Sequence, residues 1–212
     1  MSLYKTVLSF GLSVAIFGLT TLSTIAHASE SKDPQVVIPH VTQKVLKSIE
    51  IERDAIKQDP QLIIDLLSQH LLPHVDYKYA AYKVLGSSFK KVPREKLPTY
   101  MIAFKDYLVA TYATAFMKFE NYTVKFEYRP TQKGQKVSTI RAVVKSEGKP
   151  DINFALKARY NKKTNEWKVY DMIAEGISLI SAKQSEVSSI LRQQGIDAVV
   201  ELLKKNTKVI IE

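Results

Sequence analysis

Three histidines beyond the apolar first segment of the chain are the side chains best suited to metal binding or proton transfer. They are His40, His70 and His74. His70 and His74 are four residues apart, a spacing that places two ligands on one face of a helix, but Pro73 interrupts that geometry. Because the chain has no cysteine and offers no clear third ligand, the sequence predicts surface or boundary histidines and no metal site.

Asp171 is the acid whose position most suggests chemistry. Strict alternation along a strand would place it on the face shared by Trp167, Val169 and Ile173. A carboxylate among apolar neighbours is either a general base in a pocket or a structural acid that accepts hydrogen bonds from backbone N–H groups. The structural role is favoured, because the sequence places no second catalytic group beside it and contains no nucleophile elbow, phosphate loop or dinucleotide fingerprint. A small pocket enzyme that uses Asp171 as general base is the alternative hypothesis.

Residues 1–28 have the pattern of a cleavable secretory signal peptide. Lys5 supplies the positive first region, the stretch from Thr6 to Ala26 is uncharged and mostly apolar, and Ala26-His27-Ala28 is an Ala-x-Ala cleavage site. The alternative is an uncleaved anchor, since the stretch is just long enough to cross a bilayer. We expect cleavage after Ala28 and one soluble domain, residues 29–212, that acts outside the cytoplasm.

Composition narrows the classes of partner. The chain carries a formal net charge of +10, and removal of the signal segment lowers it by one because that segment contains one lysine and no acidic residue. A basic exported protein is better placed to meet anionic membrane surfaces or acidic proteins than nucleic acid. The absence of cysteine excludes disulfides and thioether lipid anchors, so the domain must be held together by its core.

Hydrophobic periodicity divides the exported chain into helices, strands and helices again. The first half predicts helices from Pro34 to about Lys57, from Asp59-Pro60 to before Pro73, from Asp76 to Gly86, and from Pro93 to about Phe119. From Tyr122 the period changes to two, and short turns separate four strands: from Tyr122, at 136–146, at 152–160 and at 167–174. Helices at about 180–194 and 196–206, separated by Gly195, follow Gly176. The fold class is therefore α+β, with helices packed on one face of a four-stranded antiparallel meander.

The long helix and the strands carry an excess of aromatic and aliphatic side chains. Most of them are expected to form a plain hydrophobic core. Periodicity alone does not distinguish a filled core from a hollow one, so a cavity does not follow from this pattern.

Several segments resemble the MlaC family of periplasmic phospholipid-binding proteins, also called the toluene-tolerance family. The most specific similarity is Trp167–Ser178, WKVYDMIAEGIS. Weaker similarities follow the same order along nearly the whole exported chain, at Leu71-Leu72-Pro73, Tyr79-Ala80, Val84-Leu85-Gly86, Tyr107-Leu108, Thr111-Tyr112-Ala113 and Leu191–Asp197. Many members carry an Asn-Tyr-Arg-like stretch where this chain has Ala182-Lys183-Gln184, so no role is carried over to those positions.

The resemblance implies a monomeric periplasmic carrier, not an enzyme, that needs no cofactor and encloses the acyl chains of a phospholipid in an internal apolar cavity. It implies transfer of lipid between an outer-membrane lipoprotein–porin complex and an inner-membrane ABC transporter with a lipid-binding subunit, which maintains outer-membrane lipid asymmetry. The side chains that the resemblance implies for the cavity wall are Val84, Leu85, Phe104, Tyr107, Leu108, Tyr112, Phe116, Val124, Phe126, Ile140, Val144, Phe154, Leu156, Trp167, Val169 and Ile173.

Overall fold

The computed structural model of the protein describes residues 33–118 and 122–207. The signal peptide predicted at 1–28 lies outside the described residues. The described part contains six helices, joined by short 3₁₀ turns, and an antiparallel sheet. The helices are α1 (Pro34–Ile51), α2 (Arg53–Gln58), α3 (Gln61–His70), α4 (Tyr77–Leu85), α5 (Leu97–Lys118) and α6 (Leu179–Lys205).

Local signals fix several of the helix ends. Asp33 caps α1 by accepting a hydrogen bond from the Gln35 N–H, and Asp76 caps α4 in the same way through Tyr79. The helix predicted from Pro34 to Lys57 is broken at Glu52, whose φ and ψ of −97° and 9° are not helical. Gly195, with φ of 80° and ψ of −178°, divides α6 into two helical segments, as its position between two predicted helices indicated.

Gly86 ends α4 at a point where only glycine fits. Its φ is +56°, a value that L-residues with side chains rarely adopt. A Cβ atom at this position would also lie 2.0 Å from Nε2 of Gln184 in α6. That amide is the far end of a flexible side chain that can move away, so the positive φ is the main reason for glycine here.

The sheet is a meander of five strands in the order β1-β2-β3-β4-β5, one more than the sequence predicted. The strands are β1 (Tyr122–Glu127), β2 (Val137–Ser146), β3 (Ile152–Asn161), β4 (Glu166–Ala174) and β5 (Ile177–Ser178). Glu175 and Gly176 both have positive φ, 48° and 80°. A two-residue hairpin turn needs such values if its twist is to match the twist of the strands that it joins. Gly176 therefore turns the chain into β5 and does not end the sheet. The sequence pattern did not predict β5 because a strand of two residues is too short to show alternation.

A β-bulge in β4 changes which face Asp171 occupies. Ala158 of β3 pairs with Val169, whereas the preceding Lys157 pairs with Asp171, so Tyr170 is an extra residue in β4. Beyond the bulge the alternation is displaced by one residue. Asp171 consequently lies on the face opposite to that of Val169, which corrects the shared face expected from strict alternation.

Three hydrophobic clusters hold the layers together. One joins α4, α5 and α6, a second joins α1, α2, α3 and α5, and a third joins α1 to the inner face of the sheet through Ile38, Ile140, Ala158 and Val169. The helix α5 takes part in the first two clusters and packs mainly against α3, α4 and α6. Other helices make most of the contact with the sheet. Helix α1 packs on β2, and helices α4 and α6 pack on β4.

Polar contacts tie these flanking helices to the strands. In α1, the side-chain amide of Gln35 donates hydrogen bonds to the Ser138 Oγ at 2.9 Å and to the Thr139 carbonyl at 3.0 Å. Ahead of α4, Asp76 pairs with Arg159 at 2.9 Å, and the Asp76 N–H donates to the carbonyl of Val169 at 2.7 Å. These contacts fix α1 against β2 and the start of α4 against β3 and β4.

The buried acid Asp171 fixes α6. One of its carboxylate oxygens accepts a hydrogen bond from the Ser178 hydroxyl at 2.8 Å, and the other accepts one from the Ile180 N–H at 3.2 Å. The Ser178 Oγ in turn caps α6 by accepting from the Ser181 N–H at 3.1 Å. Asp171 therefore links β4 to the first turn of α6, and these are the contacts of a structural acid.

The substitution Asp171→Ala is expected to lower the free energy of unfolding by about 3 kcal/mol, because it removes two hydrogen bonds to a charged group and leaves the buried Ile180 N–H without an acceptor. Denaturant unfolding followed by circular dichroism measures the change. Asp151→Ala is the matched control, since Asp151 makes an exposed ion pair with Lys145 that should contribute about 0–1 kcal/mol. Equal losses in the two variants would contradict the structural role.

Candidate functional site

A cavity of about 160 Å³ lies between α1, the α3–α4 connection, α5 and the inner face of the sheet. We call it the first cavity. Its wall is almost entirely apolar. It is lined by Ile38, Val41, Thr42, Leu46, Leu71, His74, Val75, Tyr112, Ala115, Phe116, Tyr122, Val124, Phe126, Ala142, Val144, Phe154, Leu156, Val169 and Met172.

The strand residues that line this cavity are set by the alternation of side chains along each strand and by the pairing register between strands. Inward residues of neighbouring strands form rows across the sheet, and one row consists of Phe126, Ala142 and Phe154. The small side chain of Ala142 stands between two large rings. A hollow results because the rings are held apart and the methyl group does not fill the space between them.

The few polar groups in the first cavity are uncharged. The Thr42 hydroxyl donates a hydrogen bond to the Ile38 carbonyl of its own helix. Burial lowers the pKa of His74, an effect that Glu166 opposes and Lys168 reinforces, so the imidazole is neutral at physiological pH. Burial raises the pKa of Tyr112 and of Tyr122 to about 12 each, which keeps both phenols protonated. A wall without charge favours an apolar guest.

A cavity of about 250 Å³ adjoins the first one, between α4, α5, β4 and the first turns of α6. We call it the second cavity. Apolar side chains form most of its wall, and polar groups lie mainly on the α6 side. It is lined by Ala80, Val84, Phe104, Tyr107, Leu108, Thr111, Tyr112, Tyr170, Asp171, Met172, Leu179, Ile180, Ala182, Lys183 and Glu186.

Lys183 organises the polar side of the second cavity. Its ammonium group lies 4.5 Å from the centre of the Tyr107 ring and 2.6 Å from the Glu186 carboxylate. Burial alone would lower the pKa of Lys183, but the hydrogen bonds to Glu186 and Tyr107 outweigh it and raise the pKa. The lysine is therefore charged, and its charge is already satisfied by neighbours in the chain.

Tyr112 and Met172 are lining residues of both cavities. Besides burial, the nearby Asp171 and Tyr107 raise the pKa of Tyr112. The two cavities therefore border each other at these two side chains.

The residues that the resemblance implied for a cavity wall separate into three groups. Eight line the first cavity: Tyr112, Phe116, Val124, Phe126, Val144, Phe154, Leu156 and Val169. Val84, Phe104, Tyr107 and Leu108 line the second cavity, together with Tyr112. Leu85, Ile140, Trp167 and Ile173 line neither of the two.

The four residues outside the cavities have other surroundings. Leu85 is buried in the cluster between α4, α5 and α6, and Ile140 is buried in the cluster between α1 and the sheet. Trp167 packs beside Tyr160, with ring centres 5.6 Å apart. Ile173 pairs with Ala155 beyond the bulge and so lies on the face opposite to that of Met172.

Sequence reasoning did not place α1 or the α3–α4 connection at the cavity. Ile38, Thr42 and Leu46 follow one another at steps of four, with Val41 beside them, and this stripe of α1 was the available signal. Nothing in the pattern distinguishes it from the neighbouring core stripe of Val45 and Ile49. Ala115, Ala142 and Met172 also line the cavity and were missed, because small or flexible side chains contribute little to a hydrophobic pattern.

The histidines do not converge on a metal site. His40 and His70 are exposed, while His74 is half-buried at the first cavity. Within residues 33–118 and 122–207, no group of three or more His, Asp or Glu side chains is arranged to hold a metal ion. In the same part of the chain, no helix combines the length and apolar character that crossing a membrane requires.

Comparisons with known proteins agree with this geometry. The family model described as MlaC protein matches residues 40–205. The intermembrane phospholipid transport system binding protein MlaC of Haemophilus influenzae is 29% identical over 195 residues, which cover 92% of this chain and 91% of that protein. The toluene tolerance protein ttg2D of Pseudomonas putida is 20% identical over 192 residues, which cover 90% of this chain and 86% of that protein.

A solved structure has the same fold. It is that of a phospholipid-binding protein from Ralstonia solanacearum in complex with a phospholipid, with a TM-score of 0.73, 22% sequence identity, and coverage of 82% of this chain and 97% of the other. The family model spans most of the described residues, and the curated relatives match over nearly their whole length. The chain therefore belongs to the MlaC family.

Proposed function

We propose that the protein is a phospholipid carrier whose first cavity holds acyl chains. The observation that carries this proposal is the uncharged apolar wall of that cavity, enclosed between α5 and the inner face of the sheet. The Haemophilus relative is a binding protein of an intermembrane phospholipid transport system and the Ralstonia structure is a complex with a phospholipid, which supports this choice of ligand.

The physical need for such a carrier follows from the hydrophobic effect. Burying a methylene group is worth roughly 0.8 kcal/mol, so two ordinary acyl chains with about 30 methylenes lie on the order of 20 kcal/mol higher in water than in apolar surroundings. Spontaneous escape of a phospholipid from a bilayer is therefore too slow for traffic. A carrier must offer a wall nearly as apolar as the membrane, and it must then release the lipid to a partner.

The carrier that we propose is monomeric, soluble and periplasmic after removal of residues 1–28. Its route runs between an outer-membrane lipoprotein–porin complex and an inner-membrane ABC transporter with a lipid-binding subunit, and its task is the maintenance of outer-membrane lipid asymmetry. Membership of the MlaC family supports this route, as does the word "intermembrane" in the name of the Haemophilus relative. Loss of Lys5 with the signal segment lowers the net charge from +10 to +9, which suits docking on acidic faces or near anionic headgroups, and such docking weakens with salt.

The substitution Phe154→Glu is expected to abolish lipid carriage, since it places a carboxylate on the apolar wall where burial of a charge costs several kcal/mol. Lipid phosphorus, extracted from purified protein and expressed per polypeptide, measures the effect. Ile102→Glu is the matched control, because Ile102 lies on α5 with 60% of its surface exposed and lines neither cavity.

The expected result is a loss of roughly tenfold or more in bound phosphorus for Phe154→Glu, with wild-type values for Ile102→Glu and native circular dichroism for both. A Phe154→Glu protein that folds and carries as much phospholipid as the wild type would show that the first cavity is not the acyl-chain site.

Export is tested separately. The mature protein recovered from the periplasm is expected to begin at Ser29, and Ala28→Leu, which destroys the Ala-x-Ala site, should leave the protein in the membrane fraction. Intact-mass measurement and fractionation give the result. A mature protein that still contains Met1 or the apolar stretch would contradict the proposed signal peptide.

A further inference from the structure

Helix α4 and the chain that follows it carry positive charge without any acidic residue. Residues 77–94 contain no Asp or Glu and five basic side chains, which are Lys78, Lys83, Lys90, Lys91 and Arg94. These five charges equal half of the net charge of +10. All five residues are exposed, and none of them lines either cavity. The stretch therefore presents its charge to the outside of the molecule.

The four lysines of this stretch have no carboxylate partner. Within residues 33–118 and 122–207, none of them makes an ion pair. Lysines elsewhere differ in this respect, since Lys145 in the sheet pairs with Asp151 at 2.7 Å. Just beyond the stretch, Lys96 pairs with Asp197 at 3.0 Å. Like charges that are not neutralised by neighbours repel one another, so an anionic partner relieves this repulsion when it binds.

An exposed aromatic ring lies among these lysines. Tyr82 is 41% exposed and follows Lys78 by one helical turn, so both side chains lie on the outward face of α4. The Tyr82 ring packs edge to face against Phe89, with ring centres 4.7 Å apart, and Phe89 also packs on the hydrophobic cluster between α4, α5 and α6. Lys90 and Lys91 directly follow Phe89, so the ring contact brings them beside the outward face of α4.

The side chains Lys78, Tyr82, Lys83, Lys90 and Lys91 together form what we call the basic surface. Its composition suits a lipid bilayer better than a protein partner. Protein interfaces are enriched in arginine and depleted in lysine, whereas the ammonium group of lysine, a hydrated point charge on a flexible stem, suits the diffuse negative charge of a lipid surface. Tyrosine rings have an apolar body and a polar end, and they concentrate at membrane–water interfaces.

The basic surface also lacks the apolar centre that is typical of a protein interface. Tyr82 is the only large hydrophobic side chain in the described stretch 77–94 that is exposed. A single ring surrounded by lysines offers a protein partner little area to bury. The same arrangement suits a headgroup layer, where the lysine stems lie along the surface and their charged ends reach the phosphates.

We propose that the basic surface binds the headgroups of an anionic phospholipid bilayer. The lysine ammonium groups lie at the level of the lipid phosphates, and the ring of Tyr82 enters the headgroup layer. The carrier thus contacts the membrane directly, in addition to the protein complexes of its route. The inference goes beyond the proposed function and does not depend on it, because the basic surface lies outside both cavities.

Sedimentation with vesicles tests this proposal. Wild-type protein recovered from the periplasm is incubated with vesicles of phosphatidylglycerol and, separately, with vesicles of phosphatidylcholine. The bound fraction is measured at increasing salt concentration. We expect binding to phosphatidylglycerol that weakens as salt rises, and little binding to phosphatidylcholine, because the attraction is electrostatic.

The double substitution Lys90→Glu and Lys91→Glu is expected to weaken binding to phosphatidylglycerol about tenfold or more, since each lysine near an anionic surface strengthens binding about fivefold. The matched control is Lys162→Glu with Lys163→Glu, an exposed adjacent pair between β3 and β4 with the same change of charge. Its effect should stay below about threefold, because charges away from the contact are screened. Both variants should retain wild-type amounts of extractable lipid phosphorus.

A fluorescence reporter locates the contact independently. The protein has a single tryptophan, Trp167. In a Trp167→Phe background, Tyr82→Trp places a reporter in the basic surface. Tyr128→Trp places a matched reporter beyond the end of β1, where Tyr128 is 63% exposed. Phosphatidylglycerol vesicles are expected to shift the emission at position 82 to shorter wavelength and to leave the emission at position 128 unchanged.

Equal weakening in the two lysine variants, or an emission shift at position 128 without one at position 82, would overturn the assignment to the basic surface. Absence of wild-type binding to phosphatidylglycerol vesicles would overturn the bilayer as the partner and favour an acidic protein in its place. None of these results contradicts the proposed carrier function, which depends on the lipid phosphorus that the purified protein retains.

Discussion

The cavities depend on one constraint, which is that α5 is held above the sheet by its neighbours and does not rest on it. The apolar face of α5 and the apolar inner face of the sheet would pack together if nothing kept them apart. Packing of α5 against α3, α4 and α6 places the helix, and α1, α4 and α6 carry the contact with the strands. The space left beneath α5 is lined from both sides by side chains that a compact core would have buried against each other.

Such a space lowers stability, so the supports around it must be firm. Each flanking helix is fixed to the sheet by directed polar contacts: Gln35 to β2, Asp76 to Arg159 and β4, and Asp171 to Ser178 and Ile180. Hydrogen bonds have a preferred geometry, whereas the hydrophobic effect is non-directional. These contacts therefore hold the cavity open when it is empty. An apolar ligand bound in this space would recover the apolar contacts that the empty fold lacks, and its binding would raise the stability of the fold.

Several elements could be predicted from the sequence because their signals are local. Alternation in β1 to β3 identifies the inner side chains, and the helix breaks at Gly86 and Gly195 follow from the special conformations of glycine. The bulge at Tyr170 could not be predicted, because it depends on pairing with β3, and it moved Asp171 and Ile173 to the face opposite to the expected one. The cavity could not be predicted from the hydrophobic pattern either. Ala142 lines it only because strand pairing places Phe126 and Phe154 on its two sides.

The proposed carrier function requires that acyl chains occupy the space beneath α5. Native mass spectrometry of the wild-type protein, isolated from the periplasm of its producing cells without detergent, tests this claim most directly. A mass above that of the polypeptide is expected, with the excess released on activation and identified by fragmentation as intact phospholipid. A mass equal to that of the polypeptide alone in repeated preparations, with no extractable lipid, would contradict it.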